Sequence, residues 1–416
     1  LLLYGVAKYD LHLLEPISFI SVLYICIFIV KPIVDIRSGS MIEHGIDVMH
    51  GGIKATLLFL SGYTAFFMAY LLHSKPLAIQ QAMGKRKKQR PRLLKELYFS
   101  WAVVYALCIY CMLTQGMSIK YIFSFGTEGE RIIDESNTAL LFLSNFGITL
   151  VALWLLIMNA SKNIWIKSAI TILSIVYILM RNSRWLMLVF IAAPIMLYCI
   201  KRQKQLKLSS IFAIGALAVI VFAWMQANRY ALSTGGAMSG WGEKGFSLKT
   251  LLAPFETELS TYRTFYSMVT RYPSQYGYML GKTFLYVFLL FIPRSIWKGK
   301  PDNPAREMIE NSLNSTAKRS GTACANIGEF YANFGILGVL GCMYLLGWAA
   351  AQLKNYCLLS EPGEEACGER QVMYCILYPL MFQWIARGNF SGNFYLTLFA
   401  VLPFIQIRFF RTREGD

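Results

Sequence analysis

Residues 164–200 have the sequence IWIKSAITILSIVYILMRNSRWLMLVFIAAPIMLYCI, in which two apolar runs meet at Arg181-Asn182-Ser183-Arg184. A hydrocarbon core about 30 Å thick is crossed by about 20 apolar helical residues. Each run is close to that length, and a helix satisfies its own backbone hydrogen bonds in lipid. The stretch therefore predicts two membrane-spanning helices joined by a tight polar turn.

The rest of the chain has the composition of a membrane protein. Of its 416 residues, 56% are hydrophobic and only 15% are charged. The formal net charge of +17 could indicate nucleic-acid binding, but membrane proteins keep Lys and Arg on cytoplasmic loops. None of the nine cysteines has a metal-ligand spacing with histidine. We therefore expect no nucleic-acid partner, no metal and no cofactor.

Similar apolar runs recur along the sequence and predict an all-α polytopic membrane protein with roughly ten transmembrane helices. The predicted spans are 13–34, 51–73, 96–115, 138–158, 164–181, 184–200, 209–227, 333–352, 371–387 and 391–408. They divide the chain into an N-terminal transmembrane bundle (1–227), a large, partly helical extracytoplasmic loop (228–332) and C-terminal transmembrane helices (333–416).

Three basic segments set the predicted orientation: 85–92 (KRKKQRPR), 201–204 (KRQK) and the tail 408–413. All three fall on one side of the membrane when the spans are counted in this way. An excess of Lys and Arg marks the cytoplasmic side. Both termini are therefore predicted to be cytoplasmic, and the long loop is predicted to lie outside.

The pair Arg181 and Arg184 is the first candidate site. Three residues apart on a helix, the two side chains would share a face where two spans meet outside. They are either headgroup anchors that snorkel to the interface or a fork for phosphate, which planar guanidinium groups suit better than lysine.

The second candidate is the segment 254–272, where apolar residues at helical spacing predict a helix on the membrane surface or against the spans. Glu256, Ser260 and Arg263 fall together on another face. That face is either the solvated side of an interfacial helix, or it makes Glu256 a general base and Arg263 an anion ligand.

The third candidate is the basic segment after residues 282–293, which are apolar but too short to span and predict a re-entrant or interfacial segment. The sequence IPRSIWKGKP at 292–301 leads into a predicted short helix capped at Asn303 with Pro304 in its first turn. Cations close to a lipid-facing segment make an anionic headgroup the natural partner. The headgroup candidates are Lys298, Lys300 and Arg319.

The fourth candidate is the sequence NIGEFYANFGILG at 326–338, which opens a predicted span from outside. Gly335 and Gly338 would let another helix approach closely. Glu329 lies at the mouth of this span, where an acid is costly unless it has a role or a cationic partner.

Taken in order, the outward arginine pair, the long basic loop, IPRSIWKGKP (292–301), GEFYANFGILG (328–338) and ARGNF (386–390) resemble bacterial Wzy-type repeat-unit polymerases of O-antigen, capsule and related glycans. The resemblance covers residues 181–387, and the first spans match it only as generic spans. It implies a GT-C-like membrane glycosyltransferase, related to O-antigen ligases, that elongates polyprenyl-diphosphate-linked glycans. The expected location is the outer face of the bacterial inner membrane, and a chain-length regulator protein is an expected partner.

This implied reaction develops negative charge on a departing diphosphate, which fixed guanidinium groups stabilise without a metal. The sequence lacks an outer cluster of carboxylates suited to Mg²⁺. Either Glu329 or Glu256 would orient or deprotonate the acceptor hydroxyl. The candidate diphosphate ligands are Arg181, Arg184, Arg263 and Arg294, with Arg387 in second rank.

Three other functions are weighed against this one. A flippase or transporter of lipid-linked glycans should have internal repeats and paired broken spans, and no convincing repeat is present. Ligases usually have a histidine-asparagine motif where residues 322–326 are TACAN. A membrane acyltransferase would need a histidine-centred motif, but the histidines are early and scattered: His12, His44, His50 and His73.

Overall fold

The computed structural model describes residues 14–39, 41–43, 46–75, 91–114, 145–181, 183–202, 215–217, 219–221, 223, 247, 259–290, 292, 296–313, 323–359 and 367–415. Within these ranges the regular elements are helices, apart from one antiparallel pair of two-residue strands, β1 (Ile42–Glu43) and β2 (Ile46–Asp47). The predicted all-α class is confirmed.

The α-helices of the described ranges are numbered in chain order. The first helix contains a π-helical turn at Cys26–Val30, and a 3-10 turn at Val48–Gly51 leads into the second. The helices are α1 (Pro16–Arg37), α2 (Gly52–His73), α3 (Pro91–Thr114), α4 (Phe146–Ala160), α5 (Ile164–Arg181), α6 (Arg184–Arg202), α7 (Thr261–Arg271), α8 (Lys282–Leu290), α9 (Pro304–Leu313), α10 (Ala325–Leu358), α11 (Cys367–Ala386) and α12 (Phe390–Gly415).

Several of these helices can cross a membrane, judged by length and composition. In the described ranges the six candidates are Pro16–Arg37, Val48–His73, Leu93–Leu113, Trp185–Arg202, Ala325–Leu358 and Phe390–Phe410. Two shorter apolar helices are Phe146–Ala160 and Ile164–Leu179. The predicted span at 209–227 lies mostly outside the described residues. The total of roughly ten spans therefore stays a prediction.

The buried side chains form two hydrophobic clusters. The Trp154 cluster is built mainly from α3 to α6 with α11 and α12, and Trp154 stacks on Phe190 with ring centroids 4.0 Å apart. The Phe28 cluster is built mainly from α1, α2, α7 and α10, and Phe28 stacks on Phe59 at 4.6 Å. Both clusters are predominantly apolar and aromatic, because these helices have apolar residues on most of their faces.

Helices α2 and α10 pack closely at glycines, as small residues allow for helices in lipid. A Cβ atom at Gly347 would lie 2.2 Å from the Phe66 carbonyl oxygen, and one at Gly62 would lie 2.7 Å from a methyl of Val339. A side chain at either position would force the helices apart. Close approach was predicted at Gly335 and Gly338, but the structure places the glycine contacts between these two helices at Gly62 and Gly347.

The region predicted as a long loop contains helices α7, α8 and α9 in the described ranges. Helix α7 lies within the predicted segment 254–272 and packs against the spans, since Phe265 meets Phe28 edge to face at 5.7 Å. Helix α8 has nine residues and is too short to span. Helix α9 begins at Pro304, and the backbone N–H of Ala305 donates to the Asn303 side chain at 3.0 Å, as predicted for its cap.

Candidate functional site

Helix α7 packs against one end of the Phe28 cluster, which we call the α7 end. The start of α2 contacts α7 closely, because a Cβ at Gly51 would lie 2.4 Å from the Tyr266 carbonyl oxygen. The Thr56 hydroxyl lies 3.1 Å from the Tyr266 hydroxyl. The start of α10 also contacts α7, where a Cβ at Gly328 would lie 3.1 Å from Met268 Sδ. The α7 end thus brings together residues that are far apart in sequence.

Three charged side chains meet at the α7 end. Asp35, near the end of α1, pairs with Lys31 Nζ at 2.8 Å and with Arg263 Nη2 at 2.7 Å. Arg263 Nε donates to the same carboxylate at 3.1 Å. The Tyr262 hydroxyl donates to it at 2.7 Å, and burial followed by the contact with Asp35 raises the pKa of Tyr262, so this phenol keeps its proton. Two cations and a phenol therefore surround one carboxylate.

Sequence reasoning identified only Arg263 of this charged group. Lys31 and Asp35 were missed because both fall at the edge of the predicted first span. Their signal was present, since a cation and an acid four residues apart share one face of a helix. Ionisable residues inside an apolar run are costly and usually have a partner or a role.

Glu329 lies near the start of α10 and is 1% exposed. Its two carboxylate oxygens accept from the backbone N–H of Phe390, with distances of 3.0 and 2.9 Å to that nitrogen. The Asn389 backbone N–H and the Thr283 side chain are also hydrogen-bonded to it. The first N–H groups of a helix have no partner within the helix, and a carboxylate there is favourable. Glu329 therefore anchors the start of α12.

The turn between α11 and α12 consists of residues in unusual conformations. Gly388 and Asn389 both have left-handed backbone angles, with φ of 65° and 61°. A Cβ at Gly388 would lie 2.8 Å from the Ala325 carbonyl oxygen, so the turn packs directly on the start of α10. Asn393 Nδ2 donates to the Gly388 carbonyl at 2.6 Å. Arg387, half-buried, begins this firmly held turn.

Helix α10 is interrupted at Gly335, whose φ of 63° and ψ of −145° are not helical. Such angles are adopted almost only by glycine. The break frees carbonyl groups of the preceding turn, and two of them accept from the loop before α8: Met279 N donates to Ala332 O at 2.9 Å and Leu280 N donates to Asn333 O at 3.1 Å. The break thus separates the segment that holds Glu329 from the rest of the long helix.

Arg181, the first member of the predicted arginine pair, lies beside the Trp154 cluster. Arg181 Nη1 donates to the Tyr177 hydroxyl at 3.0 Å, and a Cβ at Gly147 would lie 3.4 Å from that nitrogen. These contacts belong to α4 and α5, whereas Arg263 contacts α1. Arg184 begins α6, but its side chain is outside the described part, so the predicted shared face stays a prediction.

The predicted headgroup residues have different surroundings. Lys300 is buried, its Nζ donates to the Ile292 carbonyl at 3.0 Å, and it lies 5.6 Å from the Tyr286 ring centroid. These contacts hold the Lys300 amine against protein, whereas Lys298 is exposed. Three predicted site residues lie outside the described residues: Glu256, Arg294 and Arg319.

A second ion pair lies at the opposite end of the Phe28 cluster, which we call the Lys354 end. Lys354 Nζ lies 2.8 Å from Glu15 Oε1 and 3.0 Å from Glu15 Oε2. It also donates to the Ser74 hydroxyl at 2.8 Å. The Tyr70 hydroxyl donates to Glu15. This network joins the start of α1 to the ends of α2 and α10.

The described residues contain no group of three or more His, Cys, Asp or Glu side chains that could hold a metal ion.

Comparison of the sequence with known protein families identifies the family of this chain. The family model described as O-antigen polysaccharide polymerase Wzy matches residues 1–413. No curated protein and no solved structure matches the chain.

Proposed function

This chain belongs to the O-antigen polysaccharide polymerase Wzy family, and from that premise we propose how it joins lipid-linked repeat units. The family match over residues 1–413 confirms the resemblance predicted from the sequence and favours a polymerase over a flippase, a transporter or a ligase. The chain is a multi-pass membrane protein, with six candidate spans in the described ranges. Its substrates are oligosaccharide repeat units linked to lipid.

We propose a direct glycosyl transfer between two lipid-linked substrates. The anomeric C–O bond to the donor diphosphate breaks, and the anomeric carbon bonds to a hydroxyl oxygen of the acceptor repeat unit. Polyprenyl diphosphate leaves with the bonding electron pair, and the hydroxyl proton passes to a base. Negative charge therefore develops on the diphosphate, and preorganised cations beside it stabilise the transition state.

The observation that carries this proposal is the meeting of Lys31 and Arg263 on Asp35 at the α7 end. The carboxylate fixes both cations in place, with distances of 2.8 and 2.7 Å. Their side chains keep 11% and 13% of their surface exposed, so an anionic substrate can reach them. Holding the cations in advance reduces the reorganisation needed when charge develops.

We propose the remaining predicted arginines as further ligands of the substrate diphosphates. Arg387 begins the turn that packs on the start of α10, close to the α7 end. Arg181 binds Tyr177 in the neighbouring cluster, and Arg184 and Arg294 stay proposals from the sequence. These cations supply the charge stabilisation, so we propose a metal-independent transfer in a GT-C-like fold.

We propose Glu256 as the group that orients or deprotonates the acceptor hydroxyl. The alternative, Glu329, is 1% exposed and accepts from backbone and Thr283 donors. A general base needs to come within hydrogen-bond reach of the proton that it takes. Burial keeps a substrate hydroxyl away from Glu329 in this arrangement.

We propose that the α7 end faces the outside of the bacterial inner membrane, with both termini cytoplasmic and Lys298 and Arg319 beside lipid headgroups. A chain-length regulator protein is the proposed partner. Cysteines introduced at Gly235 or Asn314 should react with a membrane-impermeant thiol reagent added to intact cells. A cysteine introduced at Lys87 should not react. Reaction at Lys87 would overturn this orientation.

The polymerase activity is tested with purified protein and lipid-linked repeat units. The expected product is a ladder of glycans that differ by one repeat unit, made without added nucleotide sugars. Movement of the lipid-linked unit across a vesicle membrane without a ladder would instead indicate a flippase. Transfer of single units to a different acceptor, without elongation, would indicate a ligase.

A further inference from the structure

Glu329 has the contacts of an anchor. Its carboxylate is buried, and its partners are the backbone N–H groups of Phe390 and Asn389 and the side chain of Thr283. Ionised carboxylate oxygens only accept hydrogen bonds, and together they have about four acceptor positions. Three donors fill most of these positions. The segment that carries Glu329 is itself fixed, because Asn333 Nδ2 donates to the Glu329 carbonyl at 2.8 Å.

The turn that Glu329 holds begins with Arg387. Left-handed backbone is unfavourable at most residues other than glycine, and asparagine adopts it where its short side chain forms a local hydrogen bond. Asn389, at φ 61°, has such a bond, since its Oδ1 accepts from the Gly392 backbone N–H at 3.4 Å. Two further contacts hold the turn, the carboxylate of Glu329 on one side and the amide of Asn393 on the other. Without them, the turn would relax and the direction in which Arg387 leaves the backbone would change.

We propose that Glu329 is a positioning residue, which holds the Gly388-Asn389 turn and thereby aims the Arg387 guanidinium at the substrate diphosphate. The inference rests on the proposed function, in which Arg387 binds that diphosphate. It makes Arg387 a main ligand of the diphosphate, whereas the sequence alone ranks it below the other arginines. It also separates the two candidate acids, since Glu329 acts through the turn and leaves the acceptor proton to another group.

The test is a double-variant comparison on the full-length protein, measured as initial rate of ladder formation per folded molecule. Arg387→Ala should lower kcat about a hundredfold, the usual loss when one preorganised donor to a developing charge is removed. Glu329→Ala should cause a similar loss, and the double variant should be no slower than Arg387→Ala alone. Glu329→Gln keeps a carbonyl oxygen for the Phe390 N–H, so it should retain activity within about tenfold of the wild type.

Two further variants keep the result interpretable. Asn393→Ala removes the second anchor of the turn and should reproduce a milder loss of kcat even if Glu329→Ala folds poorly. Glu307→Gln removes an exposed acid of α9 and should leave the rate unchanged. A lower melting temperature with an unchanged rate in both Glu329→Ala and Asn393→Ala would overturn the proposal.

Two other outcomes separate the competing explanations. Equal losses of about a hundred- to ten-thousand-fold in Glu329→Gln and Glu329→Ala, added to the loss of Arg387→Ala, would identify Glu329 as a base and overturn the positioning role. An Arg387→Ala variant that forms ladders at the wild-type rate would also overturn the positioning role of Glu329. The same ladders would still support the proposed polymerase function. Absence of a ladder with the wild type would reject the proposed function itself.

Discussion

Helix α1 has an acidic residue at each end, and the two acids have different surroundings. At the Lys354 end, Glu15 pairs with one cation, and the two side chains are 4% and 1% exposed. At the α7 end, Asp35 pairs with two cations that are 11% and 13% exposed. The first pair is balanced and enclosed by protein. The second group is less enclosed than the first, because its two cations keep part of their surface exposed.

This difference distinguishes a structural ion pair at the start of α1 from a candidate binding site near its end. A buried pair that is matched in charge has little capacity for another ion, but losing one partner leaves an uncompensated charge. Cations that are held by one carboxylate and remain partly exposed can accept a second anion. The polymerase substrates have such an anion in their diphosphate. We therefore propose that the substrate binds at the α7 end and that the Lys354 pair stabilises the fold.

The largest expected effect is the loss of folded protein when the Lys354 pair is broken. Lys354→Met leaves Glu15 buried without its cation, which typically costs about 3–5 kcal/mol. We expect a large drop in melting temperature and in the yield of folded protein in detergent. Activity per folded molecule should change little, because the proposed binding site is at the other end of the cluster.

A second replacement controls this result. The double variant Glu15→Gln with Lys354→Met removes both charges and should recover most of the lost stability. If the double variant were as unstable as the single one, packing rather than charge would account for the effect. A strong loss of activity in stable Lys354→Met protein would break the comparison, because the Lys354 end would then take part in the reaction.

The second expected effect is a smaller loss of stability at the break in α10. Gly335→Ala places a Cβ 2.7 Å from the Tyr278 hydroxyl in a backbone conformation that is nearly restricted to glycine. Such strain costs about 1–3 kcal/mol, so the melting temperature should fall. Gly341→Ala is the matched control, since nothing lies within 4 Å of its Cβ and alanine favours a helix. Equal melting temperatures for the two variants would contradict the broken helix.

The smallest expected effect concerns Arg184, which begins α6. Arg184→Lys keeps the positive charge but loses the planar fork that binds two phosphate oxygens. If this arginine belongs to the diphosphate site, the rate of ladder formation should fall about tenfold, or ~1.4 kcal/mol in activation free energy. Expression should stay unchanged. Near-normal ladders from the lysine variant would make Arg184 a headgroup anchor and confine the binding site to the α7 end.

The fold was predictable from the sequence because its signal is local. A run of about 20 apolar residues predicts a span without knowledge of its neighbours. The cap at Asn303 was predictable for the same reason, since it depends on adjacent residues. The break at Gly335 was not recognised, because the glycine was assigned to helix packing. Its cause lies in Tyr278 and in the loop before α8, which reach it only in three dimensions.

The site was predictable only in part because its contacts are distant in sequence. Arg263 was identified by its type and place in a basic loop, but its partner Asp35 is 228 residues away. Glu329 was identified as an unusual acid, and its partner Phe390 is 61 residues away. The sequence showed that each residue needed an explanation. It could not show that the Asp35 carboxylate holds Arg263, or that the Glu329 carboxylate holds the Gly388-Asn389 turn.

The most direct test of the account is the binding of polyprenyl diphosphate to purified protein, measured beside polyprenyl monophosphate. Arg263→Gln is the informative variant, because Asp35 keeps Lys31 and Tyr262 as partners and the fold should persist. Lys162→Gln removes an exposed cation between α4 and α5 and is the matched control. We predict that the wild type prefers the diphosphate, that Arg263→Gln weakens diphosphate binding about tenfold, and that Lys162→Gln does not. Diphosphate binding of wild-type strength by folded Arg263→Gln protein would contradict the assignment of the α7 end as the binding site.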